Sequence, residues 1–252
     1  MLRKFLLIYF EKSVRIRSRE VNTMIIKGMQ KVTLLDYPGR VACTLFTGGC
    51  NFRCPFCHNA PLLTAADEDG MDEDELLAFL KKRRGLLDGV AVTGGEPLLR
   101  PDLPQLLEKI KALGYAVKLD TNGAFPERLE AVVRAGLADD VAMDIKNNPE
   151  RYAETAGVPG LDLTPVFRSV SFLLRGMVNY EFRTTAVAEL HDDASFLKLG
   201  DWLAGAKRYY IQCFQPRDTV LRAGLSAPTE TQLRRWAELV RPKIPAVEIR
   251  GI

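Results

Sequence analysis

The feature that most limits the fold of this chain is a regular alternation of short apolar runs with amphipathic helical patterns. It starts at residue 41 and continues almost to the C-terminus. Strands that alternate with helices form βαβ units, in which the strands are parallel. Six clear units are too few for a closed eight-fold barrel. The sequence therefore predicts an α/β fold, an open partial β/α barrel of about six parallel βα units with right-handed crossovers.

The predicted strands are 41–46, 89–93, 115–119, 140–146, 180–186 and 208–214, with a possible short strand at 247–249. Apolar stripes at helical spacing lie between them. Asp72 should cap the first helix, Thr164 should cap the helix that Pro165 opens, and Thr229 with Gln232 should form a capping box. Residues 147–163 are the longest irregular stretch and predict a loop over one mouth of the barrel.

Three cysteines follow the first predicted strand, at Cys50, Cys54 and Cys57. Three thiolates on one short loop can bind three irons of a [4Fe-4S] cluster and leave the fourth iron open to a ligand. A zinc site with His58 as fourth ligand is an alternative, although adjacent residues in an extended loop tend to point apart. Inert thiols are a further alternative, and a disulfide would need an oxidising compartment.

The two remaining cysteines, Cys43 and Cys213, lie in apolar runs, which is typical of buried, unreactive thiols. The 252 residues are 47% hydrophobic and 27% charged, an ordinary globular composition that fits a single domain. A net charge of +3 is too small to indicate a nucleic-acid or membrane partner.

The first 23 residues differ from the rest of the chain. They contain a short apolar run followed by an Arg-rich segment, without the features of a complete signal peptide. We expect residues 1–23 to be either a disordered extension or a mis-assigned start with Met24 as the true first residue, and one domain over 24–252. An amphipathic partner-binding arm is the alternative for this extension. No stretch approaches the ~20 apolar residues of a membrane span, so we expect a cytoplasmic protein.

A glycine turn and several polar side chains lie at or near the ends of the predicted strands, which is where parallel α/β folds bind ligands. After the cysteine loop these are Gly94, Gly95, Glu96, Asp120, Asn122, Asp144, Lys146, Arg183, His191 and Gln212. A charge such as Arg183 within a strand flanked by helices must be paired or bind an anion. Two partners for Arg183 stay open. One is an internal ion pair with Asp144 or Asp120, and the other is the carboxylate of a ligand at the barrel mouth.

Several strings together carry a family resemblance that covers about residues 25–216. They are Ile26-Lys27-Gly28 with Gln30-Lys31, Asp36-Tyr37-Pro38-Gly39, Gly48-Gly49-Cys50-Asn51-Phe52-Arg53-Cys54-Pro55-Phe56-Cys57-His58-Asn59, Thr93-Gly94-Gly95-Glu96-Pro97, Asp120-Thr121-Asn122-Gly123, Met143-Asp144-Ile145-Lys146 and Phe182-Arg183-Thr184-Thr185. This set resembles the radical S-adenosylmethionine (radical SAM) superfamily. Within it, the set is similar to activating proteins of anaerobic ribonucleoside-triphosphate reductase and, more loosely, to pyruvate formate-lyase activating enzymes.

The resemblance implies two cofactors, a [4Fe-4S] cluster on Cys50, Cys54 and Cys57 and S-adenosylmethionine on the open iron. It implies reductive cleavage to a 5′-deoxyadenosyl radical, which would take a hydrogen atom from a glycine of a partner glycyl radical enzyme. That partner would be anaerobic ribonucleotide reductase, and a flavodoxin or ferredoxin would donate the electron.

The resemblance also implies which residues surround S-adenosylmethionine. Gly94, Gly95 and Glu96, helped by Asp120, would hold the methionine amino group, and Asn122 of the same string as Asp120 would also contact the cofactor. Arg183 would pair with the carboxylate, Asp144 and Lys146 would meet ribose or carboxylate, and Phe56 and His58 would border the adenine. Two alternatives stay open: a radical enzyme that acts on a small molecule or RNA, and a zinc-stabilised or electron-transfer module.

Overall fold

A computed structural model describes residues 24–64 and 70–252 of the chain. The predicted extension over residues 1–23 lies outside these described residues. In the described part, no helix is both long enough and apolar enough to cross a membrane.

One sheet of eight strands organises the described residues. The strands are β1 (Ile26–Thr33), β2 (Ala42–Thr47), β3 (Gly89–Gly94), β4 (Ala116–Thr121), β5 (Asp140–Asp144), β6 (Asn179–Ala186), β7 (Tyr209–Cys213) and β8 (Val247–Arg250). Their spatial order is their sequence order, from β1 at one edge to β8 at the other. β1 is antiparallel to β2, and every later pair is parallel. Such a curved, unclosed parallel sheet is the predicted open partial barrel.

Seven α-helices occur in the described part of the chain. They are α1 (Glu73–Lys82), α2 (Leu103–Ala112), α3 (Pro126–Arg134), α4 (Tyr152–Ala156), α5 (Thr164–Leu174), α6 (Asp193–Trp202) and α7 (Glu230–Val240). The predicted caps at Asp72 and at Thr229 with Gln232 are present. Each helix longer than α4 buries one apolar face, as Leu76 and Leu80 of α1 and Trp236 of α7 do, so the core lies between the helices and the sheet.

Three details differ from the sequence prediction. β1 was missed because six of its eight residues are exposed or half-buried and two of them are lysines, a pattern that edge strands share with loops. The stretch 147–163 was predicted to be irregular, but it contains the single helical turn of α4. Thr164 is the first residue of α5 and not its cap, because the carboxylate of Asp162 accepts a hydrogen bond from the Thr164 N–H at 2.9 Å.

The turn between β1 and β2 closes the base of the barrel. Tyr37 is buried there, and its hydroxyl donates to the Asp140 carboxylate at 2.6 Å. Gly89 makes room for this ring, since a Cβ atom at that position would lie 2.9 Å from it. With the base filled, the accessible end of the barrel is the end where the parallel strands finish.

Candidate functional site

The three cysteines line one cleft at the carboxyl ends of the parallel strands. The cleft encloses about 820 Å³ of empty space, its open mouth included. Backbone hydrogen bonds hold the cysteine loop in place. The Arg53 N–H donates to the Ala156 carbonyl at 2.9 Å, and the Arg222 N–H donates to the Pro55 carbonyl at 2.9 Å. The loop is therefore fixed from α4 on one side and from the β7–α7 connection on the other.

The Gly94-Gly95 turn packs directly on the backbone that precedes the cysteines. A Cβ atom on Gly95 would lie 1.9 Å from the Gly49 carbonyl oxygen, so only glycine fits. The next residue completes the contact, because the Glu96 N–H donates to that same carbonyl at 2.8 Å. The close approach brings the end of β3 against the cysteine loop and forms one wall of the cleft.

Glu96 itself lies beneath this wall and is 1% exposed. Its carboxylate accepts hydrogen bonds from the Leu98 N–H at 3.0 Å, the Thr121 hydroxyl at 2.8 Å and the Asn122 N–H at 2.7 Å. Burial raises the pKa of this carboxyl to about 7, although the three donors oppose the shift. Glu96 therefore connects the glycine turn to the loop that follows β4.

A chain of ion pairs runs through the barrel interior below the cleft. It contains three carboxylates and four cations: Asp120, Asp144, Glu181, Lys118, Lys146, Arg183 and Arg250. The Arg183 guanidinium lies 2.9 Å from the Asp144 carboxylate and 3.1 Å from that of Asp120. Of the two alternatives for Arg183, the internal ion pair is therefore present, and it includes both Asp144 and Asp120. The network carries one positive charge more than its carboxylates balance.

Asp144 and Lys146 lie where this network meets the cleft, and their charged groups are 3.2 Å apart. Burial by itself would raise the pKa of Asp144, but the charges of Arg183 and Lys146 outweigh burial and hold it at about 2. For Lys146, burial by itself would lower the pKa, and the Asp144 carboxylate reverses the sign and raises it. Both groups are therefore ionised at neutral pH.

His191 fixes the backbone of Lys146 from outside the cleft. Its Nδ1 accepts from the Val187 N–H at 3.1 Å, which places the ring proton on Nε2, and Nε2 lies 2.9 Å from the Lys146 carbonyl. Burial lowers the pKa of His191 to about 4, so the imidazole is neutral. Its sequence position after β6 suggested a group at the barrel mouth, whereas the structure places it in a supporting contact.

The aromatic side of the cleft is formed by Phe56 and His58. His58 stacks on Phe214 at a ring-centroid distance of 5.4 Å, and its Nε2 lies 2.8 Å from the Gln215 carbonyl. These contacts direct the imidazole toward the β7–α7 connection, which disfavours the zinc site with three cysteines and His58. Within residues 24–64 and 70–252, no three His, Cys, Asp or Glu side chains converge closely enough to hold a single metal ion.

The chemistry of the donor set fits a metal cluster. Burial raises the pKa of the Cys54 thiol to about 12, and it also raises the pKa values of Cys50 and Cys57. Thiolates at this site therefore need a compensating positive charge, which iron supplies. Lys146 beside them lowers each thiol pKa, although less than burial raises it.

Eleven of the thirteen residues predicted for the site line this cleft, namely Cys50, Cys54, Phe56, Cys57, His58, Gly94, Gly95, Asp120, Asn122, Asp144 and Lys146. Glu96 and Arg183 do not; both lie behind the wall and contact lining residues. Neither Cys213 nor Gln212 is among the lining residues, and Cys43 is fully buried in the core.

Sequence reasoning assigned no role to six other lining residues, Phe52, Asn59, Leu63, Thr93, Thr121 and Thr185. Five of them stand inside the strings that carry the family resemblance, so adjacency in those strings was a usable signal. Leu63 had no such signal. It reaches the cleft through the short helical turn Ala60–Leu63 that follows the cysteine loop.

Fold and cleft together define an open α/β barrel that presents three thiols at the carboxyl ends of its strands. The sequence matches the Radical SAM superfamily over residues 44–188, more than half of the chain, and the chain belongs to this superfamily. The cofactors of the superfamily, a [4Fe-4S] cluster and S-adenosylmethionine, are therefore the cofactors of this chain.

Relatives extend the similarity over nearly the whole chain. A putative glycyl-radical enzyme activating enzyme of Methanocaldococcus jannaschii is 29% identical over 237 residues, which are 90% of this chain and 96% of the relative. The pyruvate formate-lyase-activating enzyme of Staphylococcus epidermidis is 28% identical over 193 residues, 71% of this chain and 74% of the relative.

Among solved structures, Streptococcus suis SuiB bound to S-adenosylmethionine aligns with a TM-score of 0.65 at 15% identity. The alignment covers 81% of this chain and 48% of the SuiB chain, so this chain spans about half of that protein. At this level of identity, the likeness establishes the fold alone.

Proposed function

We propose that this chain is a glycyl radical enzyme activating enzyme whose partner is anaerobic ribonucleoside-triphosphate reductase. The observation that carries the proposal is the similarity to a putative activating enzyme over 90% of this chain and 96% of the relative. The arrangement of the cleft supports it, since three thiols, two glycines and an ionised Asp–Lys pair face the same space.

In this proposal, Cys50, Cys54 and Cys57 are the residues that would hold the cluster, and three protein ligands would leave a position for S-adenosylmethionine. The backbone of Gly94 and Gly95 and the carboxylate of Asp120 face the methionine amino group. Lys146 and the surplus positive charge of the interior network would attract the carboxylate of the cofactor.

Arg183 supports this anion site from behind. Its guanidinium is occupied by Asp144 and Asp120, so its role is to hold these carboxylates in position and to contribute its charge. A direct contact between Arg183 and the cofactor carboxylate stays a prediction from the family resemblance.

The adenine and the sulfonium would lie against the apolar side of the cleft. Phe52, Phe56 and Leu63 line it and are at most 6% exposed. When bound and supplied with one electron, the two cofactors would provide the 5′-deoxyadenosyl radical chemistry that removes a hydrogen atom from a glycine Cα of the partner. Apolar walls suit this chemistry because they exclude water and side reactions.

The test uses full-length protein purified and reconstituted with iron and sulfide without oxygen. With a reductant such as reduced flavodoxin, the protein should cleave S-adenosylmethionine to 5′-deoxyadenosine and methionine. With the reductase added, electron paramagnetic resonance should show a glycine-centred doublet on the reductase.

Cleavage without a doublet on the reductase or on other glycyl radical enzymes would reject the activating role and retain the family. It would then favour a radical enzyme that acts on a small molecule or RNA. Tightly bound zinc without iron would reject the cluster as well.

A further inference from the structure

The Asn122 side chain occupies a defined position between the β4 loop and the cysteine loop. Its Nδ2 lies 2.8 Å from the Asn51 Oδ1 and 3.9 Å from the Cys50 Sγ, and the amide lines the cleft. An amide nitrogen carries two N–H groups, so both contacts are possible at once. The Nδ2–Sγ contact is longer than the 3.4 Å contact that the Phe52 N–H makes with the same sulfur.

The orientation of this amide follows from its other partners. Its Oδ1 accepts from the Ala124 N–H at 2.9 Å, and a donor on the backbone can be met only by the oxygen. The amide nitrogen must therefore be the atom that faces Asn51 and Cys50. The Asn122 backbone is fixed as well, because its N–H donates to the buried Glu96 carboxylate at 2.7 Å.

We infer that Asn122 is a positioning and tuning residue that donates an N–H to the Cys50 sulfur and thereby raises the reduction potential of the cluster. The inference rests on the proposed function, because it requires that Cys50 binds the cluster. A reduced cluster carries one more negative charge on its irons and sulfurs. A hydrogen bond to a cluster sulfur stabilises that charge, so it shifts the potential upward.

Cys50 has a second donor, the Phe52 N–H at 3.4 Å from the Sγ. That donor is backbone and belongs to the cysteine loop itself, whereas Asn122 belongs to the loop after β4. The side chain of Asn122 therefore makes the potential depend on how closely the β4 loop sits against the cysteine loop.

The experiment compares Asn122→Ser with Asn51→Ala in reconstituted full-length protein. Ser keeps a hydroxyl that can accept from the Ala124 N–H, but it is too short to reach the sulfur. Asn51→Ala removes the 2.8 Å contact between the loops and leaves the Asn122 N–H free to meet Cys50. The midpoint potential is measured by redox titration monitored by electron paramagnetic resonance, and iron content is measured on the same samples.

For Asn122→Ser we expect the reduced form to be disfavoured about tenfold, a shift of about 59 mV to lower potential for a one-electron couple. Asn51→Ala should change the equilibrium ratio of reduced to oxidised cluster less than twofold. Pulsed electron–nuclear double resonance of the reduced cluster should also lose an exchangeable proton signal in Asn122→Ser alone.

Equal potentials in wild type and Asn122→Ser, at normal iron content, would overturn the inference and leave the proposed function standing. Equal shifts in both variants would also overturn it, because loop packing and not the N–H···S contact would then set the potential. Absence of iron in the wild-type protein would instead overturn the proposed function.

Discussion

Removing Arg183 tests how strongly the interior ion network holds the barrel together. Its side chain is 11% exposed and lies within 4 Å of three carboxylates, those of Asp120, Asp144 and Glu181. Removing one partner of a buried ion pair typically costs about 3–5 kcal/mol, because the opposite charge stays buried without compensation. In Arg183→Met, the apolar stem is retained and the charge is lost.

The structure places the cost at the lower end of that range. Each carboxylate keeps at least one other cation. Lys118 lies 2.7 Å from Asp120 and 3.9 Å from Glu181, Lys146 lies 3.2 Å from Asp144, and Arg250 lies 3.2 Å from Glu181. We therefore expect the free energy of unfolding to fall by about 3 kcal/mol. For a chain of this size, this corresponds to a decrease in Tm of roughly 6–12 °C.

The pH dependence provides a second observable. Arg183 and Lys146 lower the pKa of Asp144 from 3.8 to about 2. A lowered carboxyl pKa stabilises the folded state above pH 3.8, and this stabilisation is lost as the pH falls toward 2. Without Arg183 the pKa rises, so acid unfolding of the variant should begin at a higher pH than in the wild type.

Urea unfolding of the oxygen-free apoprotein, followed by circular dichroism at pH 7 and at pH 3, measures both effects. Arg234→Met is the matched control, because Arg234 pairs with Glu230 on the exposed face of α7, where such a pair contributes under about 1 kcal/mol. If Arg183→Met cost no more than Arg234→Met, the view of the interior network as a buried, interdependent set of charges would be wrong.

Three further predictions concern the cleft. Cys54→Ala should lose bound iron and cleavage of S-adenosylmethionine. It should keep the circular dichroism of the wild type, because the cysteine loop lies outside the strands, and global unfolding of the variant would contradict this. Gly95→Ala should lose stability and iron together, because its Cβ would lie 1.9 Å from the Gly49 carbonyl oxygen. Gly28→Ala, whose Cβ would meet the Phe46 side chain at an ordinary 3.6 Å, should retain iron, and equal iron contents in the two variants would contradict the prediction. Burial raises the pKa of Glu96 from 4.5 to about 7, so the folded state binds the carboxyl proton more tightly than the unfolded state does. The free energy of unfolding should therefore decrease by about 3 kcal/mol as the pH rises from 4.5 to 7. Glu96→Gln should flatten that decrease in urea titrations, and an unchanged pH profile would count against the assignment.

Much of the fold was predictable from local patterns. Apolar runs of strand length alternate with helical stripes, and these patterns depend on neighbours that are close in sequence. The edge strand β1 was not predicted, because it pairs on one side only and contains no continuous apolar run. Three of its eight residues are exposed, so its sequence pattern resembles that of a loop.

The sequence by itself determined the cysteine spacing, the glycine turn, and the placement of polar residues at strand ends, because each depends on a few consecutive residues. Only the tertiary structure decided which of those polar groups face the cleft. Glu96 and Arg183 belong to the same strings as the lining residues, yet both point behind the wall and neutralise or orient their neighbours. The reason is that hydrogen-bond and ion-pair partners come from strands far apart in sequence, such as β4 and β6 for Asp120 and Arg183, and sequence spacing carries no record of that pairing.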